Sequence, residues 1–272
     1  MSKSDQAAAL DITEGTLKHG MPYLALGSGR PLVFLRWFTP DHANPTGWMR
    51  KSEIKMLSPL ARHFRVYAVN RAPGMPAGTT MADIATQHAD ALHAEFGAPV
   101  DVLGVSSGGS LALQLAADHP TAVRKLVIAS SGYTLETLTR EAQLRYGEAA
   151  AQGRRAMHYM APVSVRNPLA ARLIAAALWL ADPLVRPKNP ADTLAFIRAE
   201  DAFNLSDRLS DITAPTLILG GDRDAAYTPV TFRHTAAGIP NSHLTIYPRT
   251  SHIGVTRHPR FTPDITAFLR AD

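Results

Sequence analysis

Residues 101–110 read DVLGVSSGGS: an apolar run ends in two serines framed by glycines. The chain continues as SLALQLAADHP, whose apolar positions recur at helical spacing. This is the order of a buried strand that turns directly into a helix. So abrupt a turn forces its tip residue into a strained conformation, and side chains two positions to either side collide unless they are absent. The spacing G-x-S-x-G is met by Gly104, Ser106 and Gly108, so the tip is Ser106. Its hydroxyl then projects above the sheet. The backbone N–H of Ser107, in the first turn of the helix, is directed to the same space.

Outward from this junction, short apolar runs alternate with helical patterns from residue 31 to about 130. The strands are PLVFLRW (31–37), FRVYAVN (64–70), VDVLGVS (100–106) and VRKLVIAS (123–130). Between the second and third lies TMADIATQHADALHAEFG, a helix opened by a Thr80 to Asp83 capping pattern and closed by Gly97. Its His88 falls on the apolar face and reads as a packed histidine. The alternation predicts an α/β fold with a mostly parallel central sheet and helices on both faces. After Ser131 it stops. Residues 132–210 read as helices alone, rich in Ala and Leu and punctuated by Pro162, Pro168, Pro183 and Pro190. Strand text resumes at APTLILGG (214–221) and HLTIYP (243–248), with helices near 230–238 and in TPDITAFLRA. The expected organisation is a core in two parts, 1–131 and 211–272, with a helical lobe, 132–210, inserted between them.

A serine hydroxyl needs a base to act as a nucleophile near neutral pH. His252, in YPRTSHIGV, stands just past the last strand, where a loop brings an imidazole over the same sheet edge. His234 is inside a helix, His243 opens a strand and His258 adjoins the last helix. A carboxylate that orients the imidazole is sought in GGDRDAAYTP, which offers Asp222 at the strand end and Asp224 in the loop; Asp224 has more freedom to reach His252 and is preferred.

Composition bounds the rest. Of 272 residues, 46% are hydrophobic and 19% charged, which suits a globular chain and excludes a disordered one. With no cysteine, disulfides, thiolate metal ligands and a cysteine nucleophile are excluded, and a cytoplasmic location is expected. No export signal is read in MSKSDQAAALDITEG. LIAAALWLA (173–181) is about half the length that spans a bilayer and reads as a packed helix. The net charge of +5 is scattered, with only small groups such as TRHPR at 256–260, so neither a nucleic-acid partner nor a membrane span is expected. His88 and His93 are five apart, about 140° around a helix, and form no metal pair. No metal and no cofactor are assigned.

With GVSSG, LILGGDRD and TSH in that order, the chain resembles the α/β-hydrolase superfamily. The resemblance runs from about residue 15 onward and implies a Ser106, Asp224, His252 triad, with the 132–210 lobe as a cap over it. It further implies acyl transfer on a small-molecule ester. The second oxyanion donor, beside the N–H of Ser107, is by position the Phe38 N–H, with that of Trp37 the alternative. Many members carry His-Gly in that segment; here Arg36 and Trp37 stand there, and with Tyr133 they are candidate pocket residues, a structural salt bridge being the commoner use of an arginine at 36. Met157, Tyr159, Leu178 and Trp179 are further lobe residues of suitable type. In NRAPG, Asn70 and Arg71 read as loop-shaping. A lactonase, a carbon-carbon bond hydrolase, or a weakly catalytic ligand-binding protein fits the same residues. A nucleotide-dependent oxidoreductase does not, because GSGRP precedes a strand rather than a helix.

Overall fold

The computed structural model describes residues 11–165 and 167–271. The amino-terminal stretch 1–10, where the sequence offers no export signal, lies outside the described residues. The alternating segments form strands β1 (Ile12–Leu17), β2 (Met21–Leu26), β3 (Pro31–Leu35), β4 (Arg65–Val69), β5 (Val100–Val105), β6 (Val123–Ala129), β7 (Thr216–Gly221) and β8 (Ser242–Tyr247). They pair in the order β1-β2-β4-β3-β5-β6-β7-β8. From β4 through β8 every pairing is parallel, and β2 joins β4, and β1 joins β2, antiparallel.

The helices are α1 (Gly47–Ala61), α2 (Met81–Phe96), α3 (Ser107–Asp118), α4 (Thr137–Ala151), α5 (Ala161–Ser164), α6 (Pro168–Ala181), α7 (Pro190–Asp201), α8 (Pro229–Gly238) and α9 (Phe261–Arg270). Strand alternation assigns the two sides of the sheet. Val33 and Leu35 pack with α2 and α3 through Ile84, Leu92, Leu111 and Leu115. Leu32 and Phe34 pack with α1 and α9 through Leu57, Leu60, Phe261 and Ile265. The expected helix at 80–97 is present with both ends as read: Thr80 and Asp83 make a reciprocal capping box, and Gly97 closes the helix at φ 63°. His88 is buried, its Nδ1 donating to the Ile84 carbonyl.

Two strands differ from the sequence reading: β1 and β2 extend the sheet where no strand was expected. α1 stands between the strands read at 31–37 and 64–70, where the alternation implied a helix without giving its bounds. β1, ITEGTL, is mostly exposed and has no apolar run to mark it. α1 buries only Glu53, Leu57, Leu60 and Ala61 and carries Pro59 in its last turn, so its periodic signal is faint. Between β6 and β7 the described residues form helices, with one isolated bridge between Thr134 and Asn204. Pro168 and Pro190 are the first residues of α6 and α7, where the missing N–H costs nothing. No helix among the described residues is long and apolar enough to cross a membrane.

Strand order positions the site. The chain leaves β3 for β4 on one side of it and returns through α2 to β5 on the other, so the loops after β3 and β5 diverge at a switch point, where open α/β sheets place their ligands. Leu35 is in register with Gly104, which brings residues 36–38 beside Ser106. A Cβ on Gly108 would stand 2.0 Å from the Leu35 carbonyl oxygen, and one on Gly104 2.4 Å from the Gly108 oxygen. We therefore expect Gly108→Ala to lower the unfolding free energy by about 3 kcal/mol or to abolish soluble expression. Urea denaturation of the variant checks this, and an unchanged midpoint contradicts it.

Candidate active site

Ser106 occupies the tip between β5 and α3 at φ 53°, ψ −124°, outside the regions open to ordinary side chains. Its N–H donates to the Ala129 carbonyl (2.9 Å), and its own carbonyl accepts from the Gly109 N–H (2.7 Å), so both sides of the tip are pinned. The turn directs Oγ toward the loop after β8. There His252 Nε2 lies 3.1 Å away, within hydrogen-bond reach. On the far side of the ring, Nδ1 is 2.9 and 3.0 Å from the two carboxylate oxygens of Asp224. With Nδ1–H donating to the carboxylate, Nε2 accepts from the serine O–H.

Local chemistry separates the two candidate acids. Asp224 is completely buried, and its Oδ1 accepts from the N–H groups of Ala226 (2.8 Å) and Tyr227 (3.0 Å), which fix the carboxylate behind the imidazole. Asp222 instead accepts from the Thr250 N–H with its Oδ1 (3.1 Å). It ties the loop after β7 to the loop after β8, an approach close enough that a Cβ on Gly221 would meet the Thr250 oxygen at 2.2 Å. Ser130 Oγ holds the His252 carbonyl at 3.0 Å.

The other expected residues have distinct surroundings. Ser107 is the first residue of α3, where helix geometry leaves its N–H without an intrahelical acceptor. Phe38 follows β3, half-buried, its ring 5.4 Å from Tyr146 of α4 and 6.4 Å from Phe196 of α7. Trp37 packs edge-on against Phe34, at 5.5 Å. Arg36 is not placed as a pocket residue: its Nε and Nη2 donate to the two oxygens of Glu53, each at 2.8 Å, and Nη1 donates to Asn44. With both guanidinium edges occupied and the side chain buried, no face remains for a substrate anion. Tyr133 joins two segments, its N–H donating to Thr235 Oγ1 and its ring 4.5 Å from that of His234. Trp179 is half exposed on α6, with the Arg155 guanidinium over its ring.

Asn70 shapes the segment after β3, its Nδ2 donating to the carbonyls of Asp41 and Ala43. Arg71 is buried; its Nε donates to His42 Nε2 (3.2 Å), and its guanidinium lies 3.8 Å from the Phe196 ring centre. Burial lowers Arg71 to about 9, and burial with the Arg71 charge lowers His42 to about 3. His42 is therefore neutral, donating through Nδ1 to the Ala72 carbonyl and accepting through Nε2.

The sequence reading missed a buried polar chain beside the imidazole. Tyr227 stacks over His252 with ring centres 6.0 Å apart, and its hydroxyl is 3.3 Å from Ser110 Oγ, which donates to Glu200 Oε1 of α7 at 3.1 Å. Glu200, Ser110 and Tyr227 are about 90 and 117 residues apart along the chain, and no short motif marks such a contact. A cavity of about 150 Å³ lies among the helices near Phe38, lined by Tyr146, Ala150, Met157, Asp182 and Pro190 among others. A more open depression of about 400 Å³, lined by Arg30, Arg62, His63, Phe64 and Arg270, adjoins the start of β3, the opposite end from Ser106. No group of three His, Asp or Glu side chains among the described residues is arranged to hold a metal ion.

The model of the alpha/beta hydrolase family matches residues 19–264. Over 90 residues the chain is 39% identical to the "Putative carbamate hydrolase RutD" of Yersinia enterocolitica; the match covers 31% of this chain and 32% of that protein, so it spans only about a third of that relative's length. Over 232 residues it is 28% identical to the pimeloyl-[acyl-carrier protein] methyl ester esterase of Chromobacterium violaceum, covering 80% of this chain and 89% of that one. Among solved structures it is similar to MGS-M2, an alpha/beta hydrolase enzyme from a Medee basin deep-sea metagenome library. The TM-score is 0.76 at 18% identity, over 96% of this chain and 98% of the other.

The buried Glu200 carries a stability signature. Burial raises its carboxyl from 4.5 to about 7, against smaller opposing effects of Ser110, Arg71 and Gln143. Because the folded-state value is raised, this group's contribution is fully present below about pH 4.5 and is lost as pH rises through about 7. Glu200→Gln removes that dependence. Relative to the parent, we expect the variant to gain on the order of 2–3 kcal/mol between pH 5 and pH 8. Urea midpoints at both pH values read the difference, and an equal difference at the two would contradict it.

Proposed function

This chain belongs to the alpha/beta hydrolase family, and from that premise we propose that it is a serine hydrolase that cleaves a small-to-medium carboxylic ester through an acyl-enzyme. The observation that carries the reading is the chain of contacts from Ser106 Oγ through His252 (3.1 Å) to the buried Asp224 carboxylate (2.9 Å). In this reading Ser106 Oγ attacks the ester carbonyl carbon while His252 Nε2 takes the hydroxyl proton. The oxyanion is held by the N–H of Ser107 and the N–H of Phe38. As the carbon–oxygen bond breaks, His252 returns the proton to the departing alcohol. Water then enters, gives a proton to Nε2, attacks the acyl carbon and releases the acid, and Ser106 recovers its proton. Throughout, Asp224 stabilises the imidazolium without taking its proton.

The α4–α7 segment acts as a cap in this reading. The cap is tied to the core at several points. Asp192 of α7 accepts from the N–H groups of Gly74 and Met75, and Thr193 Oγ1 donates to the Pro40 carbonyl. The esterase name of the relative from Chromobacterium violaceum supports ester chemistry. The buried Arg36–Glu53 pair replaces substrate recognition at residue 36 by structural support of the loop that carries Phe38.

Steady-state hydrolysis of p-nitrophenyl esters of increasing acyl length tests the reading. We expect Ser106→Ala to lose about 10⁴-fold or more in kcat across the panel, and Asp224→Asn to lose about 10⁴-fold with its fold intact. Equal rates for parent and Ser106→Ala would refute the nucleophile.

A further inference from the structure

Helix α6 does not follow the pattern of the other helices. Its sequence, PLAARLIAAALWLA, is apolar around the whole circumference with Arg172 as its one charge, and helices of that kind are ordinarily enclosed by protein or lipid. Yet none of its residues is fully buried. At 100° per residue, Leu169, Leu173, Ala176 and Leu180 share the outward half, and the three leucines are 65%, 68% and 69% exposed. Leu184, just beyond the helix, is 87% exposed. The inner side contacts α5 and the turn Met157–Met160.

Along the segment that carries this strip, residues 149–191, the exposed charges are basic; of the nearest acids, Glu148 is exposed just before the segment, Asp192 is buried against the N–H groups of Gly74 and Met75, and Asp41 accepts from the Lys188 N–H. Among the described residues from 149 to 191 the basic side chains are Arg154, Arg155, Arg172, Arg186 and Lys188, whereas the acidic side chain is Asp182. Asp182 is buried, accepting from the N–H groups of Ala156 and Met157 and from Arg186 Nε. The Arg155 guanidinium stacks on Trp179 at the border of the strip, 3.8 Å from its ring centre. A second copy is a poor occupant on two counts. The strip is about 21 Å long and about 10 Å wide, a fraction of the roughly 800 Å² per partner that a stable dimer buries. Face-to-face packing would also set like charges together.

We propose that α6 is an interfacial helix that docks the molecule onto an anionic lipid surface. Leu169, Leu173, Leu180 and Leu184 enter the acyl boundary, Trp179 lies at headgroup level, and Arg154 and Arg172 meet lipid phosphates. The helix lies in the plane of the surface and does not span it. Docking is independent of the ester-hydrolase reading, since it is measured as binding.

Co-sedimentation with vesicles decides it, using phosphatidylcholine alone and phosphatidylcholine with a minor fraction of phosphatidylglycerol. The parent protein should partition onto the anionic vesicles, at least roughly tenfold more than onto the neutral ones, and added salt should release it. Leu173→Glu/Leu180→Glu should lower partitioning by about tenfold or more, and Arg172→Glu by about threefold to tenfold. Unchanged far-UV circular dichroism and urea midpoints in the variants establish that they are folded. Parent protein that stays in solution with anionic vesicles would overturn the proposal, as would equal binding of the double variant. Sedimentation velocity that finds a dimer for the parent and a monomer for the double variant would also overturn it, assigning the strip to a second copy.

Discussion

At Ser106 the backbone passes from a central strand into a helix within one residue, at a positive φ that a side chain tolerates only when its surroundings over-determine it. Three features do so. The tip N–H is bonded to β6, the tip carbonyl caps the first turn of α3, and the absent side chains at Gly104 and Gly108 let α3 rest on the backbone of β3 and β5. The strain has a geometric product: Oγ is lifted clear of the sheet, and the start of α3 is brought beside it. Everything on the carboxyl side of the sheet is arranged around that point, including the loop after β3, the acid after β7 and the imidazole after β8.

How much of this could be read from the sequence depended on whether the signal was local. The six parallel strands are short, apolar and bounded by turn residues, and α2 carries its own start and stop signals at Thr80 and Gly97, so these were legible. β1 and β2 were not, because β1 exposes most of its side chains and draws its stability from pairing with a neighbour rather than from burial. α1 was implied by the alternation of strands and helices, but its bounds were not marked: Glu53 is buried in it because Arg36 lies opposite, a pairing visible only once the chain is folded.

The site divides in the same way. Ser106 was marked by its glycines and His252 by its position on a loop past the last strand. Between Asp222 and Asp224 the sequence expressed only a preference, and the decision lies in hydrogen bonds: one carboxylate ties two loops together, the other is held by two N–H groups behind the imidazole ring. The Glu200–Ser110–Tyr227 chain had no local signature at all. It links the α7 helix to the ring that stacks on His252, so the helical segment and the edge of the sheet that carries the candidate site share one buried polar network. Arg36, for which a structural salt bridge was the expected commoner use, is taken up by Glu53, and the pair anchors the loop after β3.

The claim that matters most is that one serine among several near the tip is the activated one. Labelling the folded protein with a fluorophosphonate and locating the adduct by tandem mass spectrometry of the peptide spanning residues 101–118 measures this directly. Activation by His252 and Asp224 requires a single adduct on Ser106, absent after denaturation and absent from His252→Ala. An adduct on Ser107 or Ser110, or folded protein that takes up no label, would contradict it.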